Sequence, residues 1–69
     1  MDYKAIGAAI RKRRRAQDMT QEQLAELAGV SVSFIGHIER GTRKMSLDTF
    51  ASICRALGCA LGDIVRECE

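Results

Sequence analysis

Apolar residues in this chain fall into five short stripes at i, i+3, i+4 spacing, the period of a helix with one buried face. The first is Tyr3, Ile6 and Ile10; the second Leu24, Leu27 and Ala28; the third Ile35 and Ile38. Leu47, Phe50, Ile53, Cys54 and Leu57 make the fourth, and Leu61, Ile64 and Val65 the last. Residues that start helices stand between them. The Thr20 hydroxyl can accept from the Gln23 backbone N–H while the Gln23 side chain reaches back to the N–H of Thr20, a capping box. Met19 and Leu24 flank it as a hydrophobic staple, and the same spacing recurs at Val30-Ser31 with Ile35 and at Met45-Ser46 with Phe50. Gly29, Gly41 and Gly58 each follow a stripe, where a left-handed residue ends a helix without a Cβ clash. The pattern predicts helices over about 2–17, 20–28, 31–40, 46–57 and 60–67. Helices this short do not hold alone in water, so the stripes converge on one core and the fold class is all-α.

Length leaves room for one domain, residues 1–69. With 46% hydrophobic and 29% charged residues, the chain is ordinary for a globular protein. No prolines and only three aromatics (Tyr3, Phe34, Phe50) argue against a sandwich or small barrel. No uncharged apolar run approaches the ~18 residues of a membrane span, and the start lacks a secretory signal, so a cytoplasmic protein that engages no membrane is expected. Cys54, Cys59 and Cys68 are odd in number and form no Cys-x-x-Cys pair. With one histidine, His37, no metal site is expected, and Cys54 reads as a small core residue. The scattered glycines form no phosphate-cradling loop, and so small a domain offers little concave volume to shelter a nucleophile. Neither an enzyme, nor a cofactor, nor a small-molecule ligand is indicated.

Charge adds direction. Residues 1–44 carry nine Lys/Arg against five Asp/Glu, a net of +4, and residues 45–69 two against four, a net of −2. The asymmetry fits a polyanion partner on one side, although the run Arg11-Lys12-Arg13-Arg14-Arg15 is equally what a solvated helix face contains. The segment 20–41 decides more. Its two helices are joined only by Gly29-Val30, and so short a link makes them cross steeply. With Ile35 and Ile38 inward, Val32, Ser33, Gly36, His37 and Arg40 are expected outward, Ser33, His37 and Arg40 along one line. Small hydrogen-bonding side chains make a poor solvent face and a good groove-reading one.

Thr20-Gln21-Glu22-Gln23-Leu24-Ala25-Glu26-Leu27-Ala28-Gly29-Val30-Ser31, followed by Ile35 and Ile38-Glu39-Arg40-Gly41, resembles the Cro/repressor (Xre-type) helix-turn-helix family. Met45-Ser46-Leu47-Asp48 and Ala56-Leu57-Gly58 fit that family's usual ending, so the resemblance covers about residues 4–66. It implies a compact, five-helix, lambda-repressor-like domain that binds double-stranded DNA as a sequence-specific transcriptional regulator, usually a repressor. The helix at 31–40 becomes the recognition helix, with Ser31, Gly36 and Arg40 on the DNA face and Val32, Ser33 and His37 at base edges. Val32 suits a thymine methyl, Ser33 either hydrogen-bonding role, and His37 a guanine or adenine acceptor. Gln21, at a helix start where free N–H groups favour anions, is implied to bind phosphate. So is the loop Thr42, Arg43 and Lys44, with Arg11 or Arg15 extending the grip. Arg14 and Glu39 match a structural salt bridge, Arg14 also standing near a phosphate.

Two positions depart from the family pattern. Gly36 interrupts the recognition helix, allowing close backbone approach or leaving few base contacts, and Ala60 replaces the usual cap of the last helix, which is expected to fray. The resemblance further implies a homodimer on a palindromic operator with half-sites about one helical turn apart, and Cys59, Leu61, Ile64 and Val65 are the candidate dimer contact. The alternative is an antitoxin-type or anti-regulator module that uses the same fold to bind a protein.

Overall fold

The computed structural model describes residues 2–68. It contains α1 (Tyr3–Ala16), α2 (Gln21–Ala28), α3 (Val32–Arg40), α4 (Leu47–Leu57) and α5 (Leu61–Glu67), with no strand among the described residues. Local chemistry sets the starts. Thr20 Oγ1 accepts from the Gln23 N–H at 3.0 Å and Gln23 Oε1 from the Thr20 N–H at 2.8 Å. Ser31 and Ser46 each cap the next helix at 3.1 Å, and Asp2 does the same for α1.

The ends share one device. Gly29, Gly41 and Gly58 adopt φ of +73°, +71° and +72°. Beyond each, an N–H donates back five residues, from Val30 to Ala25, Thr42 to His37 and Cys59 to Cys54, all at 3.0 Å. α1 closes the same way, but on a residue the pattern did not flag: Asp18 takes φ +53° and Met19 N–H donates to the Arg14 carbonyl at 3.2 Å. α5 begins without a cap hydroxyl, as Ala60 requires, yet the Asp63 carboxylate accepts from the Ala60 N–H at 3.0 Å and supplies half of a capping box.

The stripes meet in one core whose fully buried centre is Ile10, Leu24, Ile35, Ile53 and Ile64, one residue from each helix. Two expected members are absent. Leu27 is 63% and Leu47 70% exposed. On α2 the buried arc runs through Leu24, Ala28 and Ala25. At ~100° per residue Leu27 lies well off its centre, so Ala25 takes the place assigned to Leu27. Leu47, in the first turn of α4, likewise stands off the arc of Phe50, Ile53, Cys54 and Leu57. Tyr3 is half-buried at the margin.

Packing places α1 against α3 and α5, α2 against α3 and α4, and α4 against α5. The α1–α3 approach runs through Gly7, where an added Cβ would lie 2.1 Å from the Ile38 carbonyl oxygen and 2.8 Å from that of Glu39. Arg13 ties α1 to Glu67 of α5 at 2.6 Å, and Gln17 Nε2 donates to the Leu57 carbonyl at 2.7 Å.

Candidate nucleic-acid interface

α2, the Gly29-Val30 turn and α3 form a rigid unit, because Ile35 and Ile38 bury the inner face of α3 while Ser31 caps its start. The leading flank stays open: Ser31 and Ser33 are exposed and Val32 is 43% exposed. Neither of the protein's terminal helices covers these side chains. The α3 N-terminus is therefore free to enter a groove.

His37 sits one turn on, half-buried. Its Nδ1 lies 3.0 Å from Thr42 Oγ1, and that hydroxyl donates to the His37 carbonyl at 3.2 Å. Thr42 N–H donates to the same carbonyl. Both donors of Thr42 are thus spent inside the protein, and the expected phosphate contact through Thr42 has no hydrogen left to make it. Arg43 and Lys44 remain exposed. The Arg43 guanidinium lies 5.4 Å from the centroid of the Phe34 ring, a cation–π contact that holds the loop's charge beside α3.

Arg14 and Glu39 form a buried bidentate pair, Nε to Oε2 at 2.6 Å and Nη2 to Oε1 at 3.0 Å. Hydrogen bonding to Glu39 raises the Arg14 guanidinium further above its ordinary range, against the opposing effect of burial. Arg14 Nη1 donates to the Met19 carbonyl at 2.7 Å. With all three nitrogens engaged and 7% of the residue exposed, Arg14 is a structural residue and not the phosphate ligand it was also expected to be. Gln21 joins the pair: its Nε2 donates to Glu39 Oε1 at 3.0 Å. The half-buried Gln21 side chain is oriented by Glu39, and its second amide hydrogen is left for an anion.

Gly36 differs most from expectation. It is buried because Arg40, four residues on, folds back along the helix, so that a Cβ at position 36 would lie 3.2 Å from Arg40 Nη1. The backbone of mid-α3 is therefore covered by a guanidinium where close backbone approach to DNA was envisaged. Arg40, Gly36, Gln21, Glu39 and Arg11 line a polar cleft of about 160 Å³. Arg11 also borders an adjoining cleft of about 370 Å³ with Lys12 and Arg15. Cations from α1 and α3 thereby form one continuous band, and Arg43 and Lys44 extend the charge beyond the end of α3. A larger cleft, about 450 Å³ by Leu27, is bordered by Asp18 and Glu26 and by no cation, which suits a polyanion poorly.

Sequence spacing did not disclose Gly7, the Arg43–Phe34 contact or the Thr42 hydroxyl's tie to His37. The fold-back of Arg40 over Gly36 did have a local signal, since residues four apart on a helix are neighbours and a glycine leaves that space empty. Among the described residues no group of three or more His, Cys, Asp and Glu is placed to hold a metal, and no helix is long and apolar enough to cross a membrane.

A turn-linked helix pair with an open, uncharged leading flank and a cationic surround defines a helix-turn-helix DNA-binding fold. The chain belongs to the Xre-type helix-turn-helix family of transcriptional regulators, whose pattern matches residues 10–64. It is 37% identical over 62 residues to the control protein C.SmaI of Serratia marcescens, across 88% of this chain and 74% of that protein. It is 39% identical over 62 residues to the immunity repressor of Bacillus phage phi105, across 90% of this chain and 43% of the repressor. The chain thus spans less than half the length of that relative. Among solved structures, the clp gene regulator ClgR from C. glutamicum superposes with a TM-score of 0.92 at 35% identity, covering 99% of this chain and 88% of that one.

Proposed function

We propose that this protein is a sequence-specific transcriptional repressor that binds a palindromic operator as a homodimer, with no catalytic step. The observation that carries this reading is the open flank Val32–Ser33 beside the cationic band. Val32 packs on a thymine methyl, Ser33 bonds a base edge and His37 reads the next position. Arg11, Arg15, Arg40, Arg43, Lys44 and the free amide hydrogen of Gln21 meet phosphates. Similarity to a control protein and an immunity repressor supports a regulatory outcome.

Dimerisation is proposed through Cys59, Leu61 and Val65, which are half-buried. Ile64, included with them from the sequence, is fully buried in its own core and drops out. Pairing doubles the contacted surface, which for one domain of this size is too small for selectivity. The test is selection from random duplex DNA by the purified chain. A recovered palindrome with half-sites about 10 base pairs apart is expected. Affinity should fall steeply from 50 to 200 mM salt. Recovery of no common sequence, or binding indifferent to salt, would overturn the reading and point to a protein partner of the antitoxin type.

A further inference from the structure

The Thr42 hydroxyl has one proton and two neighbours, the His37 carbonyl oxygen at 3.2 Å and His37 Nδ1 at 3.0 Å. A carbonyl oxygen only accepts. If the proton pointed at Nδ1, two oxygen lone pairs would face each other across the carbonyl contact. If it points at the carbonyl, Nδ1 faces an oxygen lone pair and must carry a hydrogen itself. Only the second arrangement satisfies both contacts. Gly41 enforces it, because its left-handed turn returns Thr42 to the end of α3, where Thr42 N–H also donates to the His37 carbonyl.

We infer that Thr42 locks neutral His37 in the Nδ1–H tautomer, leaving Nε2 as a bare acceptor that selects a base-edge amino group, cytosine N4 or adenine N6. Among the described residues Nε2 has no hydrogen-bond partner, and it is not buried. In the major groove these two amino groups are the only base donors, whereas guanine and thymine offer acceptors. The reading made from residue type alone, a histidine donating to a purine acceptor, is therefore reversed. Thr42 is a positioning residue: it touches no base and sets the polarity of the one that does. The base assignment rests on the function proposed above; the tautomer does not.

The chain contains one histidine, so a nitrogen-15 NMR experiment on the uniformly labelled chain with its imidazole neutral reads the tautomer without ambiguity. Protonated Nδ1 with bare Nε2 is expected. Thr42→Val should release the ring to the Nε2–H form, and Thr42→Ser should retain the wild-type signature. Random-duplex selection supplies the second arm. One position per half-site should favour C or A on the strand facing α3 in wild type and Thr42→Ser. With Thr42→Val, C should be lost at that position by roughly tenfold relative to G, T and A, each of which offers an acceptor, the rest of the operator unchanged. An Nε2–H tautomer in the wild type overturns the inference whatever the DNA result. A guanine or thymine preference in the wild type, or a cytosine frequency that Thr42→Val leaves unmoved, overturns the base assignment. Failure to bind any duplex overturns the proposed function and the base assignment together, with the tautomer still read by NMR.

Discussion

Arg14 in α1 and Glu39 in α3 face each other across the protein interior as a two-pronged ion pair, their side chains 9% and 2% exposed. The pair joins the helix that carries Arg11 and Arg15 to the helix that carries His37 and Arg40. Glu39 also accepts from Gln21, so one carboxylate aligns three elements. Truncation strands a guanidinium in a desolvated site. Glu39→Ala should cost about 3 kcal/mol, and Glu39→Gln, which preserves shape and loses charge, distinctly less. Chemical denaturation measures both; a Glu39→Ala midpoint equal to wild type would show that the pair holds nothing together.

Two glycines should respond in opposite directions. At Gly7 a methyl group would meet backbone oxygen, which cannot step aside. Gly7→Ala should therefore destabilise by about 3 kcal/mol. At Gly36 the nearest atom is the far end of the Arg40 side chain. Gly36→Ala should stabilise by up to about 1 kcal/mol through helix propensity while displacing Arg40 and weakening DNA binding. Thermal melts of the two variants, with one duplex-binding titration, test both statements.

Much of the fold was legible because its determinants are local. Thr20 with Gln23, Ser31, Ser46 and the three left-handed glycines act within six residues of themselves, so spacing alone reveals them. Leu27 and Leu47 were misplaced because periodicity reports a stripe without saying which edge of it the neighbouring helices cover. Asp18 closes α1 as a glycine would, in a conformation its side chain tolerates better than most. At the candidate site, residue type singled out α3 and the cations around it. It did not locate pairings made across the chain: Gln21 drawn to Glu39, Arg43 laid over Phe34, and Thr42 turned back onto His37.

The three thiols should differ in reactivity. Burial, and then the neighbouring Cys59 thiol, push Cys54 up to about 11. Burial also raises Cys68, helped by Asp2 and Glu67. Trypsin separates the three by cutting after Arg55 and Arg66. Brief alkylation at pH 8 should leave Cys54 the least modified in the native protein and equal to the others in denaturant. Native labelling of Cys54 at the rate of Cys59 would mean that the α4–α5 junction opens freely.

The start of α5 should be sensitive to acid. The Ala60 N–H, helped by Arg66 and Arg13, holds the Asp63 carboxyl below the usual aspartate range against the opposing effect of burial. A folded-state value below the unfolded one stabilises at pH above the unfolded value, about 3.9. That contribution is lost as pH falls through the lowered value. Amide chemical shifts of residues 61–67 should move toward coil over that interval. Asp63→Ala at neutral pH should reproduce the acid spectrum; unchanged shifts in the variant would assign the cap to something other than this carboxylate.

On DNA, base readers and phosphate ligands separate by their pattern of loss. His37→Ala should relax preference at one operator position at a cost of about 1–3 kcal/mol. Arg43→Ala should weaken all duplexes alike and reduce the salt slope by about one. Equal loss on every duplex for His37→Ala would remove it from the readers.

The hydrogen of Gly7 is the entire spacer between two helices whose outer faces carry the charges and the reading edge. Its thickness sets the distance between Arg11 and Arg40, hence the reach from one strand's backbone to the groove floor. In the proposed two-fold pair a wedge at this point would tilt both reading heads symmetrically, so that a residue remote from DNA would govern which half-site separations are tolerated.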